Sequence, residues 1–567
     1  MSLIGALNIG KSALAVHQAA IQVTSNNVAN AGNPEYTRQV ARVKPNPDYP
    51  LRPGIFVGTG VNLASVERQI DAALEERIRG SVSDSESSSA RQQWLGRVEA
   101  IFNELGDDDL STRLSKFFNS WSALANTPMD NSQRQLVVQN GQGLADMMRD
   151  LHAQLETLGG DIDKRVGAMA SDANVLADKV AELNSRIVTA EGGSGATANA
   201  LRDQRDSILK RLSELVDIKT QESPEGAVTV CIGSEPLVIG STNRGIVLKR
   251  EGGGSSVTVR LVIKADNTTI DVSSGQMGAL MGLRGEIGGV SDELDKVAGN
   301  LIFEVNHLHS QGQGLEGFAQ VTGGNAVNDA AAALNSDGAG LKYRPVNGSF
   351  LVQVRRKSDG GVVSGEMVHV DLDGIGVDDS LNSLAAKLDA VNGVSASVVG
   401  GKLKIEAENQ SDTEITFSED HSYALASLGV NCYFTGTGAA DIGVNATLKT
   451  NPALVAAAAN GQKGDNQTAR AIAGLQSQEL GGLGNASLND SYEAIVSGVA
   501  VAVSGAKTSA EASQVILETL TIQREALSGV SLDEEAVNLM REQRAFQAAA
   551  RIISTVDEMM QTLLDLV

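Results

Sequence analysis

The first residues whose types and spacing suggest chemistry stand near the N-terminus. Residues 5–12, GALNIGKS, match the phosphate-binding pattern G-x-x-x-x-G-K-[ST] letter for letter. In that loop, backbone N–H groups and the lysine hold phosphates, and a buried strand comes before it. Here only four residues precede Gly5, and Leu7 and Leu14 belong to a helical apolar pattern. The stretch therefore predicts a helix, and a nucleotide-binding enzyme that uses Lys11 is kept as a remote alternative.

Three other patterns match ligand sites only in part. Residues 312–317, GQGLEG, match the dinucleotide pattern G-x-G-x-x-G, but they follow a helical segment and begin none, which predicts a turn. Residues 371–374, DLDG, resemble the start of a calcium loop, but the glycine stands fourth instead of sixth, which predicts a β-turn. His307 and His309 point to different faces of a predicted helix. We find no catalytic, cofactor or metal site, and the sequence predicts that the protein is not an enzyme.

The charge and composition exclude several kinds of partner. The 567 residues carry a formal net charge of -23, which repels the phosphates of nucleic acid and of anionic membranes. No apolar run reaches the roughly 18 residues of a membrane-spanning helix, so we expect no membrane insertion. The first residues lack the basic start and cleavage site of a secretory signal, so any export is expected to leave the chain uncleaved. Cys231 and Cys432 stand in strand-like apolar contexts and are predicted to be buried free thiols.

The N-terminal segment has the pattern of a coiled-coil helix. Glycine and proline at Gly32 and Pro34 are expected to end it. Lys11 is the only fixed charge in the first thirty residues, which predicts burial by neighbours on several sides. Residues that face one seam recur at alternating steps of three and four, namely Leu3, Leu7, Gly10, Leu14, His17, Ile21, Thr24 and Val28.

The C-terminal segment repeats this pattern. Ser531 and Glu534 form a capping-box pair that marks the start of the helix. Most seam positions are apolar and keep the heptad rhythm, namely Leu532, Ala536, Leu539, Phe546, Ala550, Ile553, Met560, Leu564 and Val567.

Between the two ends, helical and strand-like segments alternate, and the chain is long enough for several domains. The predicted fold is multidomain and mainly α plus β, with terminal coiled-coil helices, a bundle of long helices and inserted β-rich outer domains. The predicted boundaries are 1–35 and 531–567 for the terminal helices, 36–65 for an extended linker, 66–218, 276–312 and 466–530 for the helical bundle, 219–275, 313–345 and 436–465 for a β-rich domain, and 346–435 for a second β-rich outer domain.

Several segments resemble the axial proteins of the bacterial flagellum. Residues 25–30, SNNVAN, and 33–38, NPEYTR, resemble the signature shared by rod, hook and hook-associated proteins. Residues 528–535, SGVSLDEE, and 543–548, QRAFQA, are most similar to the hook-associated members that join hook and filament. Two internal stretches resemble the same members, namely 201–206, LRDQRD, and 424–436, ALASLGVNCYFTG. The resemblance is strong at both chain ends and patchy in the middle.

This resemblance implies a structural subunit at the hook-filament junction, with a hook or distal-rod protein as the alternative. The terminal helices would form an inner tube, and the β-domains would face outward. The implied partners are copies of the chain in a helical ring, the hook protein, a second junction protein, the flagellar type III export apparatus, and an export chaperone at the C-terminal region. The implied location is extracellular, in the flagellum.

The sequence thus predicts an assembly interface at the two chain ends, without a cofactor. Its residues come from the two heptad seams and from the signature that follows the first helix. They are Leu3, Leu7, Leu14, Ile21, Val28, Asn30, Pro34, Tyr36, Leu539, Phe546, Ile553, Met560 and Leu564.

Overall fold

The computed structural model describes residues 3–52, 54–102, 109–193, 197–251, 258–462 and 464–565. Helices account for 55% and strands for 18% of the structure, in long helices and several small sheets, which confirms the predicted α plus β class. The α-helices are α1 (Leu3–Ala29), α2 (Ala72–Phe102), α3 (Leu110–Asn126), α4 (Asn131–Glu191), α5 (Asn199–Leu215), α6 (Gly275–Ser310), α7 (Leu381–Asp389), α8 (Ala424–Leu428), α9 (Ala446–Thr450), α10 (Gln467–Gly474), α11 (Leu488–Ser528) and α12 (Leu532–Asp565).

The strands are short and pair in antiparallel fashion. They are β1 (Gln39–Pro45), β2 (Tyr49–Arg52), β3 (Ile55–Val57), β4 (Val61–Arg68), β5 (Ile218–Glu222), β6 (Val228–Ile232), β7 (Glu235–Ile239), β8 (Thr242–Asn243), β9 (Ile246–Glu251), β10 (Thr258–Ile263), β11 (Gln320–Thr322), β12 (Gly348–Arg356), β13 (Val362–Val370), β14 (Val394–Val399), β15 (Lys402–Ala407), β16 (Thr413–Ser418), β17 (Phe434–Thr435) and β18 (Gly443–Val444).

Two compact units share the chain. The first comprises Met1–Trp94, Asp161–Arg284 and Ser504–Val567, and the second comprises Leu95–Gly160 and Gly285–Val503. The first unit contains both terminal helices and the sheets β1-β4, β2-β3, β5-β6-β7-β8 and β9-β10. The finer division into domains stays a prediction.

The second unit is built around an aromatic core and two three-stranded sheets. Their strand orders are β13-β12-β16 and β11-β15-β14. Phe117, Trp121, Tyr433 and Phe434 are almost fully buried, and their rings lie at tilted or edge-on angles with centroids 4.7–6.3 Å apart. Such pairs stabilise a core beyond the area that they bury. Four of the 18 aromatic residues of the chain therefore lie together in this core.

The segment 36–65 is not the extended linker that the sequence predicts. β1 pairs with β4, and β2 pairs with β3, so the segment forms a long hairpin. Its inner part is the pair β1 and β4, and its outer part is the pair β2 and β3. The inner part packs on α1. Proline at Pro45, Pro47 and Pro50 interrupts the strand signal in the sequence, which is why periodicity alone predicts a linker.

Two segments predicted to be β-rich contain little strand. Within 313–345 only β11 is a strand, and within 436–465 the short β18 is followed by α9 and a 3-10 turn, Pro452–Leu454. Asn445 caps α9, since its side-chain oxygen accepts the Thr447 N–H, and Asn451 accepts the Ala453 N–H. These local hydrogen bonds outweigh the weak strand preference of the sequence.

No helix among the described residues is both long enough and apolar enough to cross a bilayer.

Candidate assembly interface

The two terminal helices pack against each other as an antiparallel pair. Gly10 of α1 lies against Ala549 and Ile553 of α12. Further along α1, His17 Nδ1 lies 2.7 Å from Glu542 Oε2. Since residue numbers rise along α1 while those of their partners fall along α12, the register is antiparallel. The chain ends predicted to be an assembly element are thus already joined within one subunit.

Gly10 determines how closely these helices approach. A Cβ atom at this position would stand 2.9 Å from Ile553 Cγ1 and 3.6 Å from the Ala549 carbonyl oxygen. A side chain here would push Ile553 aside, because real Cβ atoms do not come so close. The glycine that matches the phosphate-binding pattern therefore has a packing role.

A buried polar cluster fixes the other end of the pair. Asn27 Nδ2 donates to Glu535 Oε2 at 2.9 Å and to the Gln39 carbonyl oxygen at 2.9 Å. Asn27 Oδ1 accepts from the Gln39 N–H at 3.0 Å and from Tyr36 Oη at 2.7 Å, so every hydrogen-bonding group of this buried amide is used. Burial raises the pKa of Tyr36 to about 12, which keeps the phenol a donor.

Arg38 completes this cluster, which we call the latch: Asn27, Tyr36, Arg38 and Glu535. The Arg38 guanidinium donates to Glu535 Oε1 through Nε at 2.9 Å and Nη2 at 2.7 Å. The Arg38 N–H also donates to the carbonyl oxygen of Ser528, the last residue of α11. The latch therefore connects the residues after α1 with the junction between α11 and α12.

Ordinary capping explains where these helices begin and end. The Asn30 side chain, a predicted interface residue, donates to the Asn26 carbonyl oxygen at 2.8 Å and closes the last turn of α1. Ser531 Oγ accepts the Glu534 N–H at 3.4 Å at the start of α12, as the capping pattern predicts. Pro34 is exposed, and its carbonyl oxygen accepts from Arg524 Nη1 at 3.1 Å. The signature residues thus shape the turn between α1 and β1.

The predicted seam of α1 coincides only in part with the buried face of the helix: Gly10 and Thr24 are buried, and His17 contacts Glu542 of α12. Leu3, Leu7, Leu14 and Ile21 are half-buried, and Val28 is exposed. The buried positions are Gly10, Val16, Ala20, Thr24 and Asn27. This partial overlap has a physical reason: α1 is packed by α12 on one face and by β1 and β4 on another, so no single heptad seam describes it.

The predicted residues of α12 fall into two groups. Leu539, Phe546, Ile553 and Met560 are half-buried, whereas Leu564 is 76% exposed. Glu535, Ala549 and Val556, which the prediction omits, are the buried residues of the helix. These positions are separated by multiples of seven residues, as in a heptad. A charged and a small residue among them do not make the pattern hydrophobic enough to be recognised.

A second apolar face of α12 is uncovered in the single chain. We call this set the outer stripe: it has two members near the start of α12 and three in its second half, and Ile552 borders α1, since its Cγ2 stands 3.5 Å from a Cβ atom placed on Gly10. They are Val537, Met540, Ile552, Met559 and Leu563, all exposed.

Comparison with known proteins identifies the family of the chain. Residues 95–326 match the model of the flagellar hook-associated protein FlgK helical domain, and residues 524–566 match that of the flagellar basal body rod FlgEFG protein C-terminal region. Flagellar hook-associated protein 1 of Escherichia coli K12 is 26% identical over 99% of both chains. The same protein of Bacillus subtilis 168 is 25% identical over 99% of this chain and 97% of its own. The chain belongs to the flagellar hook-associated protein 1 family.

The fold agrees with this family. The flagellar hook junction protein FlgK from Burkholderia pseudomallei superimposes with a TM-score of 0.51 at 16% identity, covering 80% of this chain and all of that one. The hook-associated protein 1 helical-domain model spans the LRDQRD motif. In that motif Asp203 and Asp206 bind Arg68 Nη1 at 2.8 and 2.7 Å, at the end of β4.

The phosphate-binding pattern has no phosphate-binding geometry in this hook-associated protein 1 family member. Residues 5–12 lie inside α1, as predicted, and Lys11 is exposed. Ser12 Oγ donates to the Ile9 carbonyl oxygen at 2.9 Å and accepts the Val61 N–H at 3.4 Å. Ser12 therefore anchors the inner part of the hairpin on α1.

The other candidate motifs are occupied by the fold itself. In 312–317, the Gln313 and Leu315 N–H groups donate to the carbonyl oxygens of Ala458 and Ala453, both at 2.7 Å, so the predicted turn offers no free phosphate cradle. The carboxylates of Asp371, Asp373 and Asp378 lie close together, and the last two accept N–H groups of their own turn. Cys231 and Cys432 are free thiols, as predicted, but Cys231 is only half-buried.

His309 has a structural role and gives the second unit a pH dependence. Its Nδ1 donates to the Asn431 carbonyl oxygen at 2.8 Å, and its Nε2 accepts the Ala456 N–H at 3.0 Å. This arrangement needs a neutral ring. Burial, with a smaller effect of the Arg134 charge, lowers the pKa of His309 to about 4.

Stability of the second unit is therefore expected to fall as the pH drops from 6.5 to 4. Between pH 6.5 and 4, the unfolded chain, whose histidine pKa is near 6.5, binds more protons than the folded chain. Neutral His309 therefore makes its full contribution to the free energy of unfolding only above pH 6.5. We expect a loss on the order of 3 kcal/mol by pH 4. Urea unfolding at a series of pH values, followed by Trp121 fluorescence, measures it in a Trp94→Phe background, which is used for all Trp121 measurements because Trp94 lies in the first unit. In His309→Asn, whose amide can also donate and accept, this part of the pH dependence should vanish, and an unchanged profile would contradict the assignment.

Proposed function

We propose that the chain is a non-catalytic junction subunit that assembles with copies of itself through the outer stripe and the half-buried residues of α1. The single observation that carries this proposal is the outer stripe, a row of large apolar residues left uncovered on a terminal helix. Large apolar side chains grouped on an exposed helix are typical of interaction surfaces, and apolar burial drives association. Membership of a structural flagellar family supports the same role, in the extracellular flagellum.

The family supports a proposal for the position within the flagellum. The proposed place is the joint between hook and filament, with the hook protein on one side and a second junction protein on the other. Before assembly, the chain would pass the type III export apparatus, with a chaperone on the C-terminal region. A hook or distal-rod protein is the weaker alternative, because the rod model matches only residues 524–566, whereas the hook-associated model matches 95–326. Lys11, inside a helix, gives an enzyme no support.

Two charges in the outer stripe are expected to prevent assembly. In Met559→Asp/Leu563→Asp, the carboxylates stand where a neighbouring subunit would bury apolar surface, and burying them unpaired is costly. Purified full-length protein is added to isolated hooks, which separates assembly from export, and the bound fraction is measured. We expect at least a tenfold loss of binding, with thermal unfolding unchanged because both residues are exposed.

The matched control places two carboxylates in the same half of α12 but on a polar, exposed face. Ser554→Asp/Gln561→Asp should bind hooks like the unsubstituted chain. Equal binding by the stripe variant and this control would overturn the proposal.

A further inference from the structure

The outer part of the long hairpin is an exposed apolar arm. We define the arm as residues 46–57, which include β2 and β3. These two strands have their extensive contacts only with each other, whereas β1 and β4 pack on α1. The arm presents Tyr49, Ile55 and Phe56, which are 64%, 52% and 66% exposed. Aromatic residues make up only 3% of the chain, so two uncovered rings on one hairpin call for a partner.

A groove between α2 and α11 lies open in the same unit. Its cavity has a volume of about 300 Å³ and is lined by Arg77, Gly80, Ser81, Ser513 and Ile516. The floor is apolar. It consists of Leu520, which forms a buried cluster with Ile78 and Val82.

Gly80 keeps this groove open. A Cβ atom added at Gly80 would meet no atom within 4 Å, and the large side chain of Ile516 on the facing helix is exposed. Glycine inside a helix costs stability relative to almost any other residue. Gly80 therefore leaves room beside the groove for a side chain of a partner.

We propose that the arm of one subunit occupies the α2/α11 groove of a neighbouring copy. This inference rests on the proposed function, since it requires subunits that assemble. A second copy suits the groove because the arm leaves the same helix, α1, that carries part of the assembly surface. One arm and one groove per chain also form a head-to-tail contact, the kind that generates rings and helical assemblies.

The charges around the two elements are complementary. Asp48 and Arg52 flank the apolar residues of the arm, and Arg77 and Asp84 line the groove. Each side thus offers one charge of each sign, which favours a single orientation of the arm and disfavours the reverse one. The aromatic rings supply most of the buried area, at roughly 150–250 Å² each.

Filling the groove is the first test. Gly80→Phe places a ring in the open space, and phenylalanine has a better helix propensity than glycine, so the monomer should unfold at the same or a higher temperature. Binding to isolated hooks should fall at least tenfold. Gly167→Phe is the matched control, because Gly167 is also helical, lies in the same unit and has no atom within 4 Å of an added Cβ. It should bind like the unsubstituted chain.

Cross-linking tests the contact directly, even if Gly80→Phe fails to fold. In a Cys231→Ser background, Phe56→Cys and Ile516→Cys chains are mixed, assembled on hooks and oxidised. We expect a disulfide-linked dimer from this pair, and at least tenfold less from Phe56→Cys with Val175→Cys, an equally exposed position on α4.

The outcomes separate this inference from the proposed function. Normal hook binding by Gly80→Phe, or equal cross-linking by the two pairs, would overturn the arm-in-groove contact while leaving assembly through the outer stripe intact. Failure of the unsubstituted chain to bind hooks would instead overturn the proposed function itself.

Discussion

Removal of residues 531–567 is expected to abolish incorporation of the chain into the hook-filament junction. The deletion takes away the outer stripe and also the partner of α1, whose buried residues Val16 and Ala20 would become exposed. α12 has its extensive contacts with α1, so the core around Trp121 should keep its stability. Binding of the purified chain to isolated hooks measures incorporation, and Trp121 fluorescence during urea unfolding measures the core.

This deletion is informative only if the remaining chain is folded. The unfolding midpoint reported by Trp121 should therefore match that of the full chain within experimental error. A truncated chain that still bound hooks at the normal level would show that assembly does not depend on α12.

Replacing Glu535 by alanine is expected to weaken the α1–α12 pair by about 3–5 kcal/mol, because it leaves Arg38 and Asn27 without their buried partner. Glu535 is 2% exposed and receives three hydrogen bonds from these two residues. Amide hydrogen exchange of residues 3–29 measures the free energy of opening the pair. Faster exchange along the whole of α1 is the expected result.

Glu534→Ala is a closely matched control. This carboxylate also binds Arg38, at 3.0 Å, and also stands in the first turn of α12, but its side chain is 63% exposed. Exposed ion pairs contribute little, so the change should stay below about 1 kcal/mol. Equal effects of the two substitutions would mean that the latch acts through the helix dipole rather than through a buried ion pair.

The existence of the terminal helices could be predicted from the sequence, but their mutual orientation could not. Ser531 and the heptad of α12 predict a helix start that the structure has at Leu532. The predicted seam of α1 overlaps the buried face only at Gly10 and Thr24, because periodicity shows that a helix has an apolar side, not which neighbours cover it. The contact of Gly10 with Ile553 joins residues more than five hundred positions apart, and no local rule contains such information.

The latch was missed for a related reason. Asn27, Tyr36 and Arg38 belong to the signature that carries the family resemblance, yet a lone sequence does not show that their side chains meet Glu535. Asparagine, arginine and glutamate are ordinarily surface residues, and only the fold shows that these are buried together. The polar signature that directly follows the coiled-coil seam is the sequence feature that could have indicated this cluster.

The hairpin 36–65 and the segment 436–465 show the limits of strand patterns. In the first, prolines hide real strands, and in the second, asparagine caps replace expected strands with short helical turns. Both differences arise where side chain–backbone hydrogen bonds or proline geometry compete with the apolar pattern.

The antiparallel pairing of α1 with α12 also limits the order in which the parts of the chain can fold. His17 and Glu542 are separated by 525 positions, so their contact closes a loop that contains nearly the whole chain. Closing such a loop becomes easier once the intervening elements are compact. The first helix to be synthesised therefore waits, without its partner, until the last helix has followed. We expect the two ends to meet late in folding, after the elements between them have become compact.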